Sequence, residues 1–103
     1  MGEGRAGEIE GFLKKVREKF EPHKIVLFGS RGRGDEFKQS DYDIIVVSPR
    51  FEGVPFFKRL EMLLELWDYD FNLDILAYTP EEFEAKSQEL GIVAQAVREG
   101  IEI

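Results

Sequence analysis

Two short groups of residues in this 103-residue chain could do chemistry together. An apolar run, Ile25-Val26-Leu27-Phe28, ends in Gly29-Ser30, and ten residues later Asp41-Tyr42-Asp43 opens a second apolar run, Ile44 to Val47. Gly29 lets a ligand approach the backbone closely, and Ser30 offers a hydroxyl and an amide to a phosphate oxygen. Arg31 and Arg33 follow with forked donors that suit phosphate. Alternation along a strand places Asp41 and Asp43 on one side and Tyr42 on the other. Two carboxylates on one face repel each other unless a cation lies between them. Mg²⁺ suits such a pair, being a hard cation commonly shared between a few carboxylates and substrate phosphates. Together the two groups point to chemistry on a nucleoside triphosphate.

A third carboxylate, Asp74, lies between Leu73 and Ile75. On a half-buried strand it would be the odd polar residue of the inner side, costly there without a partner. A metal shared with Asp41 and Asp43 would supply one. Each feature has a plainer reading. An isolated Asp-x-Asp commonly caps a loop, Gly-Ser can simply end a strand, and Arg31 or Arg33 can be exposed and paired with Asp35 or Glu36. Asp68-Tyr69-Asp70 repeats the acidic pattern after a helix end and without a Gly-Ser, so it reads as a solvated turn. The conjunction of Gly29-Ser30 with Asp41 and Asp43 is what favours the metal. Lys38 and Gln39 read as loop solvation, His23 as a helix terminus, and Trp67 and the phenylalanines as core.

The elements that must position these groups are legible from periodicity. Ile9, Phe12, Leu13, Val16 and Phe20 predict an amphipathic helix from Glu8 to Phe20, ended by Pro22 and His23. Ile25–Phe28 and Tyr42–Val47 read as strands, the second stopped by Pro49. Phe57, Leu60, Leu63, Leu64 and Trp67 predict a helix over Pro55–Trp67, followed by a strand over Phe71–Tyr78. Thr79-Pro80-Glu81-Glu82 combines an N-cap, a first-turn proline and a capping-box glutamate. Gly91 separates the resulting helix from a last short one that Gly100 can end. A short connection favours antiparallel pairing of the first two strands, and a helical crossover favours parallel pairing of the second and third. Gly29-Ser30, Asp41, Asp43 and Asp74 would then meet at one edge of the sheet. Val54, Phe56 and Phe57 have two readings, a partner surface or burial against the sheet.

The chain is long enough for one domain, expected to span residues 1–103 with residues 1–7 flexible. Apolar residues make up 43% of it and nine are Phe, which fits a packed globule. Its net charge of −7 disfavours an extended nucleic-acid track, which would need Lys and Arg to neutralise phosphates. There is no cysteine, which excludes a disulfide scaffold and a thiol zinc site, and one histidine, which excludes most imidazole metal sites. With no apolar run of membrane-spanning length and no signal-peptide pattern, a soluble cytoplasmic protein without membrane contact is expected.

The combination of Gly29-Ser30, the Ser-Arg-x-Arg-Gly context from Ser30 to Gly34, Asp41-Tyr42-Asp43 and a later Asp74 resembles the signature of the DNA polymerase β superfamily. The spacing is similar to that of the minimal nucleotidyltransferases, with Gly32 where many relatives have Ala. The resemblance implies an α/β (α+β) fold like the polymerase β palm, a small mixed sheet of about three main strands packed with helices. It implies two Mg²⁺ ions on Asp41, Asp43 and Asp74, with Asp74 helping to deprotonate the acceptor. Gly29, Ser30 and Arg33 would hold the phosphates of ATP. It further implies transfer of AMP to an acceptor hydroxyl with release of pyrophosphate. Minimal members are similar to the antitoxin partners of HEPN-domain toxins, so a separately encoded HEPN protein is the expected partner and acceptor. Two alternatives stand beside this: a small-molecule nucleotidyltransferase of the aminoglycoside-modifying kind, and a non-catalytic partner-binding module. A bare Ca²⁺-binding module would leave Gly29-Ser30 unexplained.

Overall fold

The computed structural model describes residues 9–28, 42–69, 73–89 and 91–103. Helix α1 (Glu10–Phe20) forms where Phe12, Leu13, Val16 and Phe20 recur on one face, and all four are buried. The chain leaves it through Glu21 in a left-handed conformation, φ 45°, with the Glu21 N–H on the Arg17 carbonyl at 3.0 Å. Strand β1 (Lys24–Phe28) pairs antiparallel with β2 (Tyr42–Val47), whose six residues are all buried. A 3₁₀ turn (Pro49–Phe51) then leads into α2 (Phe56–Leu64) and β3 (Leu73–Tyr78), which runs parallel to β2. Helices α3 (Pro80–Ser87) and α4 (Ile92–Glu99) follow, and β4 (Ile101–Glu102) closes the sheet against β1. The strand order is β3-β2-β1-β4, a mixed four-stranded sheet.

Alternation divides the sheet into two faces. Ile25, Leu27, Tyr42, Ile44, Val46, Ile75 and Ala77 pack with α1, Phe51 and Leu63. On the opposite face Val26, Ile45 and Val47 pack with Val93 and Ala96 of α4, and Phe83 of α3 lies against them. The sheet expected to have three main strands has a fourth. Two residues are too few to carry a period, so β4 left no pattern in the sequence; its pairing comes from the docked α4. Gly100 makes this passage possible. A Cβ there would stand 2.6 Å from the Ala96 carbonyl oxygen and 2.7 Å from Val26 Cγ1.

Helix α2 departs most from expectation. It is regular only over Phe56–Leu64, shorter than the Pro55–Trp67 span that periodicity suggested. Two of the apolar positions that marked its core face are exposed, Phe57 at 66% and Leu64 at 46%, while Arg59 is buried at 6%. The reason is tertiary. Arg59 Nε donates to the Val54 carbonyl at 2.8 Å, and Nη1 donates to the Ala77 carbonyl at 3.0 Å and to Glu82 at 2.6 Å. Nη2 donates to the second Glu82 oxygen at 3.2 Å. A buried guanidinium is tolerable when its donors are satisfied this fully, and this one ties α2, β3 and α3 together.

Glu82 also completes the expected capping box: its carboxylate accepts from the Thr79 N–H at 3.0 Å, and the Glu82 N–H donates to Thr79 Oγ1 at 3.2 Å. The hydrogen bond from Arg59 holds the Glu82 carboxyl below its ordinary range. No described helix is long and apolar enough to cross a membrane.

Candidate functional site

The start of β2 follows from its composition, a β-branched run that is buried on both faces and so reads as almost continuously apolar. Asp43 interrupts that run. It lies in the antiparallel register opposite Phe28, the last residue of β1. In the parallel register it lies opposite Asp74, the second residue of β3. Phe28, Asp43 and Asp74 therefore form one row across three strands at one end of the sheet. Neighbouring strands are about 4.8 Å apart, so the two carboxylates spring from adjacent backbone positions on the same face. The convergence expected from topology is present for these two residues, which are 31 positions apart in sequence.

The environments of the two differ. Asp43 is 2% exposed, held among strands on both sides. Asp74 is exposed, where the inner side of a strand was expected. Its register is as foreseen, but β3 is an edge strand and Asp74 stands at its mouth, so the burial cost invoked for it does not arise. One carboxylate is thus fixed and enclosed, and the other opens to solvent. Such a pair can hold a charged ligand between a rigid floor and an accessible rim.

The remaining expected site residues, Gly29, Ser30, Arg31, Arg33 and Asp41, lie outside the described residues. Among the described residues no group of three His, Cys, Asp or Glu side chains gathers around one point. The two carboxylates that are described fit a hard divalent cation by donor type and by adjacency, since Mg²⁺ takes oxygen ligands and is commonly held by one or two carboxylates with substrate phosphates. On the opposite face of this sheet end, Tyr42 and Trp67 meet edge to face at 5.9 Å, and Phe12 and Tyr69 each lie 4.9 Å from Trp67. Trp67 therefore serves the core beneath the site, as its spacing suggested. Phe28 was read only as core; its place in the carboxylate row follows from strand register, which counting back from Gly29-Ser30 could have found.

No curated protein matches the chain. The crystal structure of a Sulfolobus solfataricus protein assigned to the nucleotidyltransferases superposes with a TM-score of 0.56 at 27% identity, covering 72% of this chain. The chain covers 66% of that protein, a little under two thirds of its length. BolA1 from Arabidopsis thaliana gives a TM-score of 0.56 at 24% identity, over 69% of this chain and 89% of that one. The BolA domain of SufE1 from the same plant gives 0.54 at 20%, over 71% and 94%. The two BolA likenesses speak to the fold alone. The nucleotidyltransferase domain profile matches residues 9–102, a span that includes every strand and helix described above. On that match, the chain belongs to the nucleotidyltransferase domain family.

Proposed function

We propose that the chain is a Mg²⁺-dependent nucleotidyltransferase that moves AMP from ATP to an acceptor hydroxyl. The observation that carries this reading is the in-register adjacency of Asp43 and Asp74 at the end of the sheet where β1 closes with Phe28. In the reaction, the acceptor oxygen forms a bond to the α-phosphorus as the bond from that phosphorus to the bridging oxygen of pyrophosphate breaks. The acceptor proton leaves toward the Asp74 carboxylate, which solvent can reach. Buried Asp43 keeps its position without side-chain search, which is what a preorganised site requires. Asp41 would complete the carboxylate set, and Gly29, Ser30, Arg31 and Arg33 would bind and orient the triphosphate. A pair of Mg²⁺ ions on these carboxylates would supply charge neutralisation for the entering and leaving oxygens.

The acceptor in this proposal is a tyrosine of a separately encoded HEPN-type protein, so that the chain acts as a protein-adenylylating antitoxin in the cytoplasm. Its support is the resemblance of Gly29-Ser30, Asp41-Tyr42-Asp43 and their spacing to the minimal nucleotidyltransferases. The test is incubation with α-labelled ATP and Mg²⁺ in the presence of a purified HEPN protein, beside an Asp41→Asn/Asp43→Asn variant. Metal-dependent label on the HEPN chain, absent with the variant, is the expected result. Label on a small molecule instead would favour an aminoglycoside-type acceptor. Neutralisation of the toxin by the unlabelled variant would favour a binding module.

A further inference from the structure

Helix α2 is apolar over a wider arc than the core uses. Arg59 and Leu63 face inward, and Leu60, Met62, Leu66 and Trp67 pack partly against the core. Beyond Leu60 the arc continues to Phe57 and Leu64, one above the other at seven-residue spacing and both exposed. At the start of the same helix Phe56 is 41% exposed and its ring lies 5.9 Å from Tyr78. Phe56 and Tyr78 also line an open trough of about 420 Å³ together with Val54, Pro55, Arg59, Glu82 and Lys86. Three of the five large hydrophobic side chains most exposed among the described residues thus belong to one helix. A grouped apolar patch of this kind marks a contact surface more often than scattered exposed residues do.

The charges beside the stripe indicate what would cover it. On its solvent side stand Glu61 and Glu65, with Glu52 and Asp68 beyond the two helix ends, all exposed. Against them stand Lys58, which already pairs with Glu61 at 3.7 Å, and, at the trough beside Phe56, Lys86, which faces Glu89 at 4.0 Å. A second copy would bring the same carboxylates and the same −7 net charge, so self-association meets like charge on both sides. A straight ridge of Phe57, Leu60 and Leu64 matches the groove of another helix, which reads such anchors at one- and two-turn spacing. We propose that the exposed stripe of α2 is the docking surface for a basic amphipathic helix of another protein, its apolar face on Phe57 and Leu64 and its Lys or Arg flank on Glu61 and Glu65. The stripe lies on the helix that covers the sheet face opposite Asp43 and Asp74, so a docked helix leaves the carboxylate row open.

The test reads binding and does not depend on nucleotide transfer. A labelled synthetic helix with a leucine face and lysine flanks is titrated against the whole chain, and a leucine/glutamate helix of the same pattern serves as control. The leucine/lysine helix should bind saturably, at least ten times more tightly than the control. Phe57→Ser/Leu64→Ser, which alters only exposed side chains, should weaken it by tenfold or more with unchanged circular dichroism. Glu61→Gln/Glu65→Gln should weaken it and flatten its salt dependence. Equal binding by wild type and Phe57→Ser/Leu64→Ser would overturn the proposal. So would a concentration-dependent dimer of the wild type that this variant abolishes, because the occupant would then be a second copy.

Discussion

At the Tyr78 end of β3, Arg59 and Glu82 close an ion pair at 2.6 Å, and the guanidinium also donates to the Val54 and Ala77 carbonyls. At the Asp74 end of the same strand, two carboxylates of like sign stand in adjacent strands, one enclosed and one open to solvent. The first arrangement satisfies itself and needs nothing from outside the chain. The second sets two carboxylates side by side in adjacent strands at one end of the sheet. On the proposed function, the contrast separates a charge kept for architecture from charges kept for chemistry. Removing a member of the first should cost stability and leave chemistry alone. Removing a member of the second should do the reverse.

The largest effect is expected at the carboxylates. Asp43→Asn should lower metal-dependent AMP transfer by about 10³-fold or more, equivalent to several kcal/mol of transition-state stabilisation, without lowering the melting temperature. An Asp43→Asn protein that transfers AMP at the wild-type rate would dissolve the distinction between the two ends. Next, Arg59→Met should destabilise the fold by about 3 kcal/mol, because it strands the Val54 and Ala77 carbonyls and leaves Glu82 without its cation. Urea unfolding measures this, and a loss below about 1 kcal/mol would mean that the network is ornamental.

Two smaller effects sharpen the same comparison. Gly100→Ala should cost about 2 kcal/mol, since the added Cβ meets a backbone oxygen that cannot move aside easily. Thermal unfolding of the purified variant is the measure. The Glu82 carboxyl is held below its ordinary value of 4.5, first by the Arg59 hydrogen bond. A folded-state value below the unfolded one means that the contribution is full above that ordinary value and is lost as pH falls through the depressed one. The melting-temperature gap between wild type and Glu82→Gln should therefore be constant near neutrality and narrow in acid. A gap that widens on acidification would contradict the assignment.

Much of this architecture is legible in the sequence. The β-branched run at Tyr42–Val47 and the Thr79–Glu82 capping box are local signals, and local signals survive folding. The strand row also followed, because a short connection and a helical crossover leave few topologies. What failed was tertiary. The burial of Arg59 had no local signal, because its partners, Ala77 and Glu82, lie 18 and 23 positions away. Leu64 looked like core, and Phe57 was open between burial and a partner surface, because periodicity registers an apolar arc and not which part of it another element covers. Asp74 was placed correctly along its strand and wrongly in depth, since edge position and strand mouth decide exposure. Of the candidate site, Asp43 and Asp74 are seen to converge, while Gly29, Ser30, Arg31, Arg33 and Asp41 stand outside the described residues.

The central claim is that the carboxylate row holds metal with nucleotide, and calorimetric titration of Mg²⁺ in the presence of a non-hydrolysable ATP analogue tests it most directly. Wild type and Arg59→Met should both bind, each below its own melting temperature, whereas Asp43→Asn/Asp74→Asn should show no heat beyond that of Mg²⁺ binding the analogue alone, while keeping the wild-type melting temperature. Equal Mg²⁺-dependent binding by the Asp43→Asn/Asp74→Asn protein would contradict the claim and move the site away from this end of the sheet.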